Sequence, residues 1–354
     1  MNRSGFLGQT WAHWVRRVAA LATGFAGGAA AYWIGTPLPW MLGPLFVTAV
    51  LCLAGVPLRP LKEARNFGQV IVGSSIGLQF TQAIVLKLLL FTPLIVASTL
   101  ASTLIGAIGA LMLMRLTGLD RATSFFATTS GGVVEMANIA SRYDAQLEPI
   151  AVVHTMRVAF IVTVAPVLMV HFSAASGAVA RVAAVSWPLF TVLLAVAAAG
   201  GYVLWRLNTP NSWFLGALIV AACVSMFGFA EGRAPDALLT AAQVFMGTSL
   251  GTQFRREFLG RLLPIMLAGT VVILFTTGAN TLVGVGLAYV LGLPVATMVL
   301  ATAPGGMAEM VVTAKLLGLD ATLITGFQLL RIVLILAWTA PAYRLLEKFS
   351  GKSR

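Results

Sequence analysis

Thr128-Thr129-Ser130-Gly131-Gly132-Val133-Val134-Glu135-Met136 decides how this chain is read. The stretch lies inside a long apolar run, yet it holds two adjacent glycines and a carboxylate. The chain repeats it as Thr302-Ala303-Pro304-Gly305-Gly306-Met307-Ala308-Glu309-Met310, with glycines and acid recurring at one offset (305 − 131 = 174; 309 − 135 = 174). Glycine costs a helix interior about 1 kcal/mol relative to alanine, and proline removes a backbone donor as well. In lipid such breaks survive only where protein or a water-lined cavity satisfies the freed backbone. Interrupted apolar segments at matching places in two halves point to a transporter's binding site.

The surrounding chain fits that setting. Of its 354 residues 59% are hydrophobic and 10% charged, and the mean hydropathy is +0.93. A soluble domain carries about 25% charged residues. The composition therefore predicts an all-α polytopic membrane protein. At roughly 20 residues per span, the apolar runs allow about ten to twelve transmembrane helices and leave no room for a soluble domain. The net charge of +12 sits in short loops and at the ends, with no basic face interleaved with aromatics. That excludes nucleic acid as a partner and makes the charges topology signals. Cys52 and Cys223 lie in apolar runs and read as buried small hydrophobes.

Arg16, Arg17 and an apolar stretch ending Ala29-Ala30-Ala31 resemble a signal peptide. A matching run, Val185 to Leu204, stands at the same place in the second half, so an uncleaved first span is expected. The basic N-terminus should be cytoplasmic, as should the Arg59–Arg65 loop. The same count puts Arg255, Arg256 and Arg261 outside, against the positive-inside rule. An even number of spans per repeat gives parallel halves and an odd number inverted ones; inverted repeats are the expectation.

The repeat itself is extensive. Gln69 to Phe80 and Gln243 to Phe254 share seven of twelve residues, and Gly118 to Met136 shares ten of nineteen with Gly292 to Met310, both at offset 174. Arg157 falls on Arg331 at the same offset, and Trp40 and Gly43 on Trp213 and Gly216 at 173. A constant offset over this length means duplication. The predicted organisation is a membrane repeat over 15–172, a linker over 173–184 and a second repeat over 185–346. The runs 86–116 and 262–291 exceed one upright span, since about 30 residues at 1.5 Å each is about 45 Å.

Glu135 and Glu309 follow their glycine pairs by three residues. An ionised side chain at mid-membrane costs on the order of 3 kcal/mol, so each is a functional candidate. The plainer reading pairs each with the arginine 22 residues on, Arg157 or Arg331. Asn138 shares a helix face with Glu135, whereas Val312 takes its place in the second half. Ser130-Gly131-Gly132 and Pro304-Gly305-Gly306 would present half-helix ends to an ion, or else pack helices closely. His154, one helical turn from Arg157 and replaced by Gln328 in the second repeat, is either a proton relay or a hydrogen-bonded core residue. Ser74 and Ser75, with Thr248 and Ser249, either line a polar path or make small-residue contacts. His13, His154 and His171 have no metal-ligand spacing, and no nucleophile or phosphate-binding motif is present. No metal, cofactor or enzyme activity is expected.

The duplicated blocks GSSIGLQF … LTGLDRATSFFATTSGGVVEM and GTSLGTQF … LGLPVATMVLATAPGGMAEM resemble the AbrB-type integral membrane family of bacteria, over about residues 15 to 346. That resemblance implies a link to regulation of gene expression and no established substrate. Members have carried the labels ammonia monooxygenase and membrane regulator; the residues give the first no support. More distantly, the order of motifs is similar to the bile-acid-symporter and cation/proton-antiporter superfamily, where the glycine-rich segment is a discontinuous crossing helix of an inverted repeat. Gly77, Ser130, Gly131 and Gly132, with Gly251, Pro304, Gly305 and Gly306, carry over, although Ser130 stands where that family has proline. The expected function is secondary transport of a small solute or ion in the inner membrane, with a membrane sensor or regulator as the alternative. The short tail after Leu346 favours transport. The expected partners are that solute or ion, the lipid bilayer and, in a homodimer, a second copy of the chain.

Overall fold

The computed structural model describes residues 3–173, 183–230 and 232–349. Among these the chain is all-helical, with one isolated bridge between Ala184 and Arg233. The first repeat gives α1 (Arg3–Ile34), α2 (Pro39–Leu53), α3 (Lys62–Gly77), α4 (Gln82–Thr117), α5 (Arg121–Thr128), α6 (Val133–Ala140), a 3-10 turn at Ser141–Tyr143 and α7 (Leu147–Ser173). The second gives α8 (Trp187–Arg206), α9 (Ser212–Met226), α10 (Asp236–Gly251), α11 (Arg256–Arg261), α12 (Leu263–Leu291), α13 (Val295–Thr302), α14 (Met307–Leu316) and α15 (Ala321–Phe349). The short, polar α11 and α12 together match the single helix α4 (256 − 174 = 82; 291 − 174 = 117), and hydropathy had not marked α11. Five described helices are long and apolar enough to cross a membrane: α4, α7 over Leu147–Leu168, α8, α12, and α15 over Ala321–Leu345. Residues 174–182 of the expected linker and 350–354 of the basic tail lie outside the described residues.

The chain divides into two compact units, and each draws on both repeats. One unit combines Met1–Thr81 with Ala180–Gly260, the other Gln82–Val179 with Arg261–Arg354.

In the first unit α1 packs on α2 and α8 on α9, and the repeats then exchange partners: α3 packs on α9 and α10 on α2. Glycine permits that exchange. A Cβ on Gly73 would lie 2.5 Å from the Phe214 carbonyl oxygen, and one on Gly77 2.5 Å from that of Leu218. Gly247 and Gly251 stand the same way against the Met41 and Leu45 carbonyls. Glycines four apart share a helix face. In lipid, where burial between helices gains little, such faces let backbones approach and dispersion act. Cys52 is buried in this unit, whereas Cys223 is exposed on α9. That corrects the expectation for Cys223, because a helix side meant for lipid is as apolar as one meant for the core.

In the second unit α4 packs on α12, α4 on α15 and α12 on α7, while α7 carries α5 and α6 and α15 carries α13 and α14. These contacts of one repeat return with the partners interchanged, which is the pattern of an approximate two-fold relation. One end is filled by Phe125, Phe126, Tyr143 and Tyr343, whose rings meet at 4.9–5.5 Å.

Candidate functional site: two interrupted helices

Both glycine pairs interrupt their helices. α5 ends at Thr128 and α6 begins at Val133; α13 ends at Thr302 and α14 begins at Met307. Gly132 and Gly306 are the N-caps, with φ of −74° and −70°, so neither needs a left-handed backbone. What glycine leaves instead is room for the acid three residues on. A Cβ on Gly132 would collide with the carboxylate of Glu135, whose Cδ lies 2.8 Å away, and one on Gly306 would collide with Glu309, Cδ at 2.9 Å. Each acid thus folds back over the first turn of its own half-helix, the place taken by the acid of a capping box. There it meets the positive end of the helix dipole.

The arginines serve the opposite ends. A helix C-terminus leaves carbonyls without partners and carries about half a negative charge. Arg157 on α7 donates to the carbonyls of Thr128 at 3.3 Å, Thr129 at 2.9 Å and Gly131 at 3.0 Å. Arg331 on α15 donates to Thr302 at 3.0 Å and to Ala303. The two acceptor pairs are repeat mates (128 + 174 = 302; 129 + 174 = 303). Sequence had set these arginines against Glu135 and Glu309; the structure sets them against the backbone, because the break creates that demand on the spot.

His154 and Gln328 do one job. His154 Nε2 lies 2.9 Å from the Phe126 carbonyl oxygen and Gln328 Nε2 donates to Leu300 at 2.9 Å, again repeat mates (126 + 174 = 300). A carbonyl only accepts, so Nε2 of His154 carries a proton. Its Nδ1 is then the acceptor for Arg157 at 2.8 Å. That geometry makes His154 a core residue that holds the arginine. Thr128 Oγ1 donates to Gly106 at 2.8 Å and Thr302 Oγ1 to Asn280 at 3.3 Å, tying each break to its long helix. Sequence reading had not singled out the two threonines, although their shared offset was the available signal.

The copies differ in places. Ser130 Oγ meets Ser102 Oγ at 3.2 Å. Opposite Pro304 the mate of Ser102 is Thr276 (102 + 174 = 276), and it turns onto its own helix at Val272, 2.9 Å. Arg157 is 3% exposed, Arg331 4% and Glu309 3%; Glu135 is half-buried and Asn138 exposed. The two breaks are neighbours. A Cβ on Gly305 would lie 3.1 Å from Cγ2 of Ile161, one helical turn beyond Arg157, and the two guanidiniums are within Coulombic reach of each other. Ser74, Ser75, Thr248 and Ser249 are buried on α3 and α10 in the other compact unit, where Ser75 accepts from the Ala234 N–H at 2.8 Å.

The family model described as transition state regulatory protein AbrB matches residues 40–347. The chain belongs to this AbrB family. It is 29% identical over 365 residues to the protein of Bacillus subtilis (strain 168) named "Uncharacterized protein YhjN", covering 94% of each chain. It is 28% identical over 317 residues to "Putative regulator AbrB" of Escherichia coli (strain K12), covering 86% of this chain and 89% of that one.

Proposed function

We propose that this AbrB-family protein is a multi-pass transporter of the bacterial inner membrane. It moves a small solute or ion by secondary transport, and it is a carrier with no catalytic role. The substrate site is the pair of interrupted helices in the second unit, with Ser130, Gly131, Gly132 and Glu135 from one repeat and Pro304, Gly305, Gly306 and Glu309 from the other. One observation carries this reading: all four half-helix ends are met by a side chain of complementary charge, Glu135 and Glu309 at the positive ends, Arg157 and Arg331 at the negative ones. An unbroken helix would satisfy its own backbone and need none of these groups. Holding four dipole ends and four ionisable groups in a membrane core is costly, and transport folds use such ends to bind charge at the midplane.

Metabolite profiling tests the reading, comparing a deletion strain with strains expressing the wild type or Arg331→Met at equal membrane levels. A solute whose distribution follows the wild type alone is the expected result. Identical profiles in all three strains would end the transport reading. The name of the Escherichia coli relative supports a second reading, a membrane regulator on a transporter scaffold. Altered transcripts on deletion, with no metabolite redistributed, would favour it.

A further inference from the structure

Resting on that reading, we propose that the two breaks bind a small anion of the carboxylate or phosphate class, and that Glu135 and Glu309 must take up protons for it to bind, which makes the protein a proton–anion symporter.

The occupied ends argue first against a cation. A metal or ammonium ion at a broken helix is held by freed carbonyls, and those of Thr128, Thr129, Gly131, Thr302 and Ala303 already accept from guanidiniums. The N-terminal ends remain. α6 has eight residues and α14 ten, and their first N–H groups and dipoles suit an anion. A second observation is independent of the helix ends. Arg157 and Arg331 are 3% and 4% exposed, both are seated at the breaks, and each keeps an Nε–H with no acceptor. Buried donors of this kind are costly to leave unsatisfied, and carboxylate and phosphate oxygens are their natural acceptors.

The acids set the coupling. Each carboxylate lies over the helix end that an anion would use, since a Cβ on Gly132 or Gly306 would collide with it. An incoming anion must displace a like charge. Transfer of a proton from water to the carboxylate oxygen removes that charge and frees the helix end. One proton then enters with each negative charge. The elements packed on α6 carry Glu148, His154 and Arg157 on α7 and Arg142 and Tyr143 on the 3-10 turn, while α5 brings no ionisable side chain to its break end. The elements packed on α14 carry Arg331, Tyr343 and Arg344 on α15 and Glu148, His154 and Arg157 on α7, while α13 carries none; α14 itself ends with Lys315.

Proton uptake by the purified full chain in weakly buffered detergent, followed with a pH-indicating dye, tests this. Acetate, succinate and phosphate are the anion probes; sodium, potassium and lithium methanesulfonates are the cation probes. The expected result is alkalinisation on adding at least one anion, roughly halved in Glu135→Gln or Glu309→Gln and abolished in the double variant. Glutamine keeps the size of the side chain and can fill the acid's place in a capping box, and size-exclusion chromatography confirms that the variants are folded. Proton release on adding a cation would overturn the anion assignment and leave transport standing. An anion response unchanged in the double variant would overturn the role of the acids. Silence towards every probe would overturn the proposal, with transport judged by the metabolite comparison alone.

Discussion

Replacing Arg331 by methionine separates the two roles an intramembrane arginine can have. Methionine keeps most of the volume and removes two donated hydrogen bonds, to Thr302 at 3.0 Å and to Ala303. Hydrogen bonds from charged groups contribute about 1.5–3 kcal/mol each, and removing one member of a buried polar set costs about 3–5 kcal/mol. The expected loss is therefore about 3–5 kcal/mol, measured as equilibrium unfolding in mixed micelles. Arg157→Met, which also gives up Gly131 and His154, should cost more. Glu309→Leu removes a helix cap and should cost about 0.5–2 kcal/mol. The double variant decides. Because Arg331 serves carbonyls and Glu309 serves its own helix start, the two losses should add, with a coupling energy below about 1 kcal/mol. A coupling of about 2 kcal/mol or more, with the double variant recovering the stability of the wild type, would show an ion pair and refute the assignment of the arginine to the helix end.

Three further outcomes follow from individual contacts. His154→Gln should cost no more than about 1 kcal/mol in the same assay, since Gln328 gives its mate carbonyl the same donor, whereas His154→Leu strands Phe126 and should cost about 1–3 kcal/mol more. Gly73→Ala should lower the thermal midpoint, at a cost of about 1–3 kcal/mol, because the Phe214 carbonyl is backbone and cannot step aside. Its control, Gly286→Ala on an exposed turn of α12, meets nothing within 4 Å and should be neutral or stabilising by about 1 kcal/mol. Cys223 should be labelled by a lipid-soluble maleimide well before Cys52, and equal rates would contradict their exposed and buried placements.

The order of helices was legible because each signal was local. A run of apolar residues marks a long helix, and two adjacent glycines mark a break, so the intervals 128–133 and 302–307 followed from composition alone. The partners of the arginines were not legible. A spacing of 22 residues puts Arg157 near the height of Glu135, but no letter in the sequence denotes a carbonyl released by a helix end. The grouping of helices was hidden for a related reason. Chain order suggests that each repeat folds on itself, yet Gly73 and Gly77 fit the α9 backbone of the other repeat. Close approach of small residues, not proximity along the chain, selects partners in lipid.

The departures between the repeats change meaning once the geometry is known. Read as letters, His154 against Gln328 and Ser130 against Pro304 make the first side the richer in polar groups. In the structure the first exchange preserves a donor to the mate carbonyl, and the second is matched on the long helix, where Ser102 reaches across and Thr276 does not. What differs is the second contact each side chain makes. His154 Nδ1 accepts from Arg157, whereas the Gln328 Oε1 is buried with no partner. Asn280 Oδ1, also buried without a partner, stands where the first repeat has Gly106 (106 + 174 = 280). The second repeat therefore carries two spare acceptors at places where the first carries none. Spare acceptors bind donors and do not attract anions.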